Sequence, residues 1–155
     1  MRTVWFVDTS VLCNLFPVPG HDQHRASVQN EMRARQRTGD AFILPLTAVI
    51  ETGNHISKLP DGRVRRRTAE KFCQVLSMVK NGTAPWRLHV FSWNEDFLQS
   101  LVDGAATGRS LVDHAMSNVG CGDLCVLAER EIYRERTGLP DVRVWSLDLE
   151  LLAYS

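Results

Sequence analysis

The sequence predicts a three-layer α/β/α fold with a central parallel sheet, and three observations carry that expectation. Apolar runs rich in β-branched and aromatic residues stand unbroken at Val4-Trp5-Phe6-Val7 and Ala41-Phe42-Ile43-Leu44, as in strands buried on both faces. Between such runs lie segments with apolar residues at helical spacing. The two patterns alternate along the chain, which implies right-handed βαβ crossovers. A single domain over residues 1–155 is expected, with four strands in the sheet, or five.

Thr3 to Val7 reads as the first strand, followed by a short helix to about Phe16 that Pro17-Val18-Pro19-Gly20 stops. A polar helix from near His24 to Arg37 carries Val28 and Met32 one turn apart. After a second strand, Ala41 to Pro45, Thr47 suits the N-cap of a helix with Val49, Gly53 and Ile56 on one face and Thr47, Glu51, His55 and Lys58 on the other. Beyond the turn at Pro60-Asp61-Gly62, Phe72, Val75, Leu76 and Val79 recur at helical spacing. Leu88 to Trp93 alternates as a third strand near an edge, and Asn94 or Ser92 caps a helix through Phe97 and Leu101. Ser110 to Val119 has no clear period, and Asp113 and His114 within it read as exposed loop residues. An amphipathic helix begins at Asp123 and ends near Thr137-Gly138. Val142 to Asp148 forms the fourth strand, with a short helix or tail after it.

With 44% hydrophobic and 23% charged residues, the chain is neither disordered nor fibrous. No apolar run approaches the roughly 18 to 20 residues that span a bilayer, and the amino terminus reads without a secretory pattern. A cytoplasmic protein with no membrane partner is expected. Cys13, Cys73, Cys121 and Cys125 are too few and too irregular for a disulfide scaffold, and Cys121 with Cys125 lacks the second ligand pair of a zinc site. The formal net charge is zero, yet residues 1–93 carry 13 basic and 7 acidic residues, and residues 94–155 carry 5 and 11. Basic residues cluster at Arg33, Arg35 and Arg37 and at Arg63, Arg65, Arg66, Arg67 and Lys71, where a polyanion could be held by its phosphates.

Four acids stand at equivalent places in this pattern. Asp8 and Asp148 end strands, Asp123 opens a helix, and Glu51 lies one turn into another. In a parallel sheet, strand ends and helix starts share the carboxyl edge, where ligands bind. Convergent carboxylates repel unless a cation neutralises them, and hard oxygen donors in this number suit Mg²⁺ or Mn²⁺. Such an ion polarises a phosphodiester and activates water. Glu150 is the alternative to Asp148. Thr9 and Ser10 are expected to cap the first helix, and Asn14 either lines the site or caps locally. His55 reads as a surface histidine, and His21, Asp22 and His24 as loop residues.

The segments Val7-Asp8-Thr9-Ser10-Val11-Leu12, Leu46-Thr47-Ala48-Val49-Ile50-Glu51, Gly122-Asp123-Leu124-Cys125-Val126-Leu127-Ala128 and Trp145-Ser146-Leu147-Asp148 together resemble the motifs of PIN-domain ribonucleases, among them the VapC-like toxins of toxin–antitoxin pairs. The resemblance implies that Asp8, Glu51, Asp123 and Asp148 hold Mg²⁺ or Mn²⁺, with Ser10 or Ser146 orienting a water or phosphate. It implies an endoribonuclease acting on RNA, commonly as a homodimer and held inactive by an antitoxin protein. Arg63, Arg65, Arg66, Arg67 and Lys71 become candidate contacts for RNA or that partner. Leu124 is larger than the small residue usual after the third acid, and Ser146 replaces the common Thr with its hydroxyl kept. A catalytically silent PIN-like module that binds RNA or protein is the alternative.

Overall fold

In the computed structural model, which describes residues 2–155, the strand β1 (Val4–Val7) is buried on both faces, as its unbroken apolar sequence demands. The chain continues through α1 (Thr9–Leu15), α2 (Arg25–Arg37), β2 (Ala41–Ile43), α3 (Leu46–Ser57), α4 (Gly62–Lys80), β3 (Trp86–Arg87), α5 (Glu95–Val102), α6 (Leu111–Met116), α7 (Cys121–Thr137), β4 (Val142–Trp145) and α8 (Leu149–Leu152). All strand pairings are parallel, and the four strands lie in the order β3-β2-β1-β4. On one side of the sheet, Val4, Phe6, Ile43, Val142 and Val144 pack against Phe97 and Leu101 of α5 and Leu124, Leu127 and Ala128 of α7. On the other, Val7, Phe42, Leu44 and Trp145 meet Val11 and Leu12 of α1, Val28 and Met32 of α2 and Ala48 of α3. A satellite core of Cys13, Phe16, Val18, Ile56 and Leu59 lies under Phe72 and Val75 of α4. Among the described residues no helix is long and apolar enough to cross a membrane.

The strand order creates the place for a site. From β1 the chain steps outward to β2 and β3, then crosses back to set β4 on the other side of β1. Connections therefore leave the carboxyl ends of β1 and β4 in opposite directions, and a crevice opens between them.

Local chemistry displaces several expected elements. The third strand is Trp86–Arg87 rather than Leu88 to Trp93. Its last rung is the bond from Leu44 N to Arg87 O (2.8 Å), and Pro45 follows on the neighbouring segment without an N–H to extend the ladder. Beyond it, Leu88, Val90 and Trp93 are exposed while His89 and Phe91 pack inward. Pro45, not Thr47, is the N-cap of α3. The stripe that α3 buries is Ala48, Thr52 and Ile56. Asp8 itself caps α1, in place of Thr9 or Ser10. The unpatterned stretch forms α6, closed by a capping box between Ser110 and Asp113. His114 there is fully buried, hydrogen-bonded to Thr107 Oγ1 (2.6 Å) and set edge-on to Tyr154. Arg35 is withdrawn from any phosphate: its guanidinium lies over the rings of Trp5 and Trp145, 3.5 and 4.4 Å from their centroids, and pairs with Glu31.

One buried acid joins the two sides. Glu129 of α7, with its side chain 2% exposed, bonds His89 Nε2 at 2.9 Å and accepts from Leu46 N, the first N–H of α3, at 3.2 Å. It thereby satisfies a helix-end donor that Pro45 cannot cap and ties α3 to α7. Replacing Glu129 with Ala takes the partner from the buried His89 ring and from the Leu46 N–H at the helix start, so stability should fall by about 3 kcal/mol. The expected reading is a Tm lower by roughly 6–12 °C in a thermal melt.

Candidate active site

The crevice between β1 and β4 is a cavity of about 400 Å³. Asp8, Glu51, Asp123 and Asp148 all line it, brought from the end of β1, the second turn of α3, the first turn of α7 and the loop after β4. Asp8 is 4% exposed and sits at the centre of a hydrogen-bond net. Ser10 Oγ and Ser146 Oγ both donate to its Oδ2, at 2.7 and 2.8 Å, and Ser10 N approaches the same oxygen at 3.4 Å. Each serine oxygen in turn accepts a backbone N–H, Ser10 from Leu147 and Ser146 from Asp148, both at 2.9 Å. A hydroxyl has one proton to give, so the 3.2 Å separation between the two serine oxygens is a contact within a net already closed. The two hydroxyls thus orient Asp8 and leave its other oxygen, Oδ1, without a protein donor among the described residues.

Glu51 is steered in a similar way. Its Oε2 accepts from Thr9 Oγ1 at 2.7 Å, and its Oε1 lies against Gly122, where any Cβ would overlap the carboxylate. Asp123 opens α7, where the helix dipole favours a negative charge. Burial, reinforced by Asp8, Asp148, Glu51 and Glu150, nevertheless raises it from 3.8 to about 6. The order of those influences places Asp148 closer in effect than Glu150, and Asp148 lines the cavity while Glu150 does not. Asp148 also caps α8 through Glu150 N, at 2.9 Å.

Histidines read from the sequence as loop and surface residues stand beside the acids. His21, Gln23 and His24 of the loop between α1 and α2, together with Asn14 and His55, line the same cavity. Asn14 joins wall to floor, giving its Nδ2–H to Ser10 O (2.8 Å) and accepting His24 N at Oδ1 (2.9 Å). Asn14, one turn beyond Ser10, thus takes the site-lining place that the sequence offered it. Arg63, Arg65, Arg66, Arg67 and Lys71 do not join the site: they are exposed along α4, with Arg65 bonded to Leu59 O and Arg66 paired with Glu70.

The donor set is hard and anionic, which fits Mg²⁺ or Mn²⁺ and not a soft metal. Among the described residues, no three His, Cys, Asp or Glu side chains stand in an arrangement that already encloses an ion; the fit lies in the chemistry of the acids that face the cavity. Burial pushes the Cys13 thiol at the cavity wall up to about 11, with the Thr52 hydrogen bond opposing and Asp8 and Glu51 adding. It is therefore protonated at neutral pH and no nucleophile. The fold and site define a three-layer α/β/α protein with an acidic cavity at the switch point of a parallel sheet. Compared with models of protein families, with curated proteins and with solved structures, the chain matches none.

Gly122→Ala separates site from fold. The added methyl overlaps the end of the Glu51 side chain and makes an ordinary contact with the Thr47 methyl, and Ala favours a helix over Gly by up to about 1 kcal/mol. The expected outcome is an unchanged or slightly higher Tm with Mn²⁺ affinity lowered about tenfold, read by thermal shift and titration. For Asp123, the folded chain binds its proton near pH 6 and the unfolded chain near 3.8. In that window the folded state holds more protons, so stability falls as pH rises through it. In metal-free protein Asp123→Asn should then raise Tm at pH 7 by roughly 3–6 °C, from about 1–2 kcal/mol after discounting solvent screening at a half-exposed site. The gain should vanish by pH 4; an equal gain at both pH values would assign it to packing instead.

Proposed function

We propose that this protein is a divalent-cation-dependent endoribonuclease of the PIN type and, on the motif resemblance, the toxin of a toxin–antitoxin pair. The observation that carries the nuclease proposal is the convergence of Asp8, Glu51, Asp123 and Asp148 on one cavity at the sheet's switch point. Burial first, and then their mutual repulsion, raises Asp123, a cost in stability that the fold carries at this edge. A site that holds a cation explains why the fold bears it.

Asp8, Glu51, Asp123 and Asp148 are the residues that would hold Mg²⁺ or Mn²⁺. When bound, such an ion polarises a phosphodiester and lowers the pKa of water beside it. The chain's own groups supply orientation: Ser10 and Ser146 fix the Asp8 carboxylate, and Thr9 fixes that of Glu51. Negative charge at the cavity otherwise excludes a polyanion, so substrate entry depends on the neutralised state. The exposed basic residues of α4 are suited to hold phosphates away from the cut or an acidic partner protein.

The test pairs binding with turnover. Mn²⁺ at about 100 times its Kd should stabilise the protein by about 2.7 kcal/mol, a Tm rise of roughly 5–11 °C, and RNA cleavage should require the ion. Asp8→Asn keeps a good N-cap for α1 and should fold normally while losing both the shift and the cleavage. Cleavage in the presence of a chelator, or an Asp8→Asn protein with parental activity, would overturn the proposal.

A further inference from the structure

The cavity is chemically two-sided. Beside the carboxylates, His21, Gln23 and His24 of the loop between α1 and α2, Asn14 of α1 and His55 of α3, one turn beyond Glu51, form a part of the lining without an acid. That loop is held in place. Val18 is fully buried and its N–H bonds Cys13 O at 3.0 Å, His21 N bonds Val18 O at 2.9 Å, and His24 N bonds Asn14 at 2.9 Å. The loop therefore returns to α1 within two turns of Asp8. It delivers the His21 ring flat against His55, with centroids 4.0 Å apart and planes inclined by 26°. One face of His21 is covered by this stack, and the residue remains exposed to the cavity mouth. Burial, then His21 and Lys58, hold His55 below the ordinary imidazole value, so it is neutral at pH 7.

We propose that the stacked His21–His55 pair is a nucleobase platform, on which an unpaired base next to the phosphate held by the acids stacks. The inference rests on the nuclease reading above and specifies its substrate. Imidazole faces accept bases of any identity and only when those bases are free of a duplex. Asn14 and Gln23 at the same wall add amide groups. Gln23 Nε2 is bonded to Gly20 O at 2.7 Å and Asn14 is bonded at both ends. Neither is free to read a base edge fully, so the subsite selects strandedness rather than sequence.

The experiment measures equilibrium binding of a short single-stranded oligoribonucleotide by fluorescence anisotropy, with Ca²⁺ supplying the cation charge. It is compared with a series in which one nucleotide at a time lacks its base. One abasic position should weaken binding about tenfold, the scale of one base stacked on one aromatic side chain. His21→Ala should weaken the intact oligomer equally and show no further loss with that abasic partner. His21→Phe should restore affinity to within about twofold, because the ring and not its nitrogens does the stacking. Equal binding of intact and abasic oligomers, or a His21→Phe protein as weak as His21→Ala, would overturn the platform. A parallel Mn²⁺ thermal shift reports on the acids alone: a normal shift with base-independent binding removes only the platform, and no shift removes the nuclease reading beneath it.

Discussion

A single carboxylate oxygen, Oδ2 of Asp8, joins the parts of the molecule that matter most. It ends β1, caps α1 and receives the hydroxyls of Ser10 and Ser146, and those serines in turn accept the backbone N–H groups that follow β4. The strand pair β1–β4, the first helix and the start of α8 are thereby registered on one atom. Charge-assisted bonds of this kind are stronger than neutral ones, and burial strengthens them further. The orientation of Asp8 follows from the fold and needs no ligand.

Around that fixed point the remaining acids are held under tension. Glu129 clamps the start of α3 to α7 through Leu46 N, so the helices that carry Glu51 and Asp123 cannot drift apart to relieve repulsion. Gly122 lets the Glu51 carboxylate lie directly on α7. Burial first, and then the neighbouring acids, raise Asp123. A fold that forces like charges together at one edge gives up stability locally, as functional sites commonly do.

The sheet was legible because burial on both faces leaves an unbroken apolar run, and β1 and β2 fall where those runs stand. The four acids were legible for a related reason: in a parallel sheet, strand ends and helix starts share an edge. What the pattern could not show depends on distant partners. Leu88 to Trp93 alternates well, but a strand exists only where a neighbour offers rungs, and Pro45 ends them. His114 is buried by Thr107 and Tyr154, which local spacing does not bring near it. His21 and His24 do lie in a loop, as the sequence implies, but their place at the cavity is set by Asn14 and His55, contacts between separate elements. Arg35 looked like part of a basic cluster until two tryptophans from different strands enclosed it.

The placement of β4 beside β1 has a bearing on synthesis. Ser146 and Asp148 lie near the carboxyl end of the sequence, while their partner Asp8 lies near its beginning. During translation the first strand, its acid and Ser10 emerge together, but Ser146, the second hydroxyl on that acid, follows 138 residues later, and parallel pairing over such a separation forms late in folding. A growing chain thus carries an incomplete centre until β4 has been made. The cavity that gathers the four acids is complete only once β4 has docked beside β1.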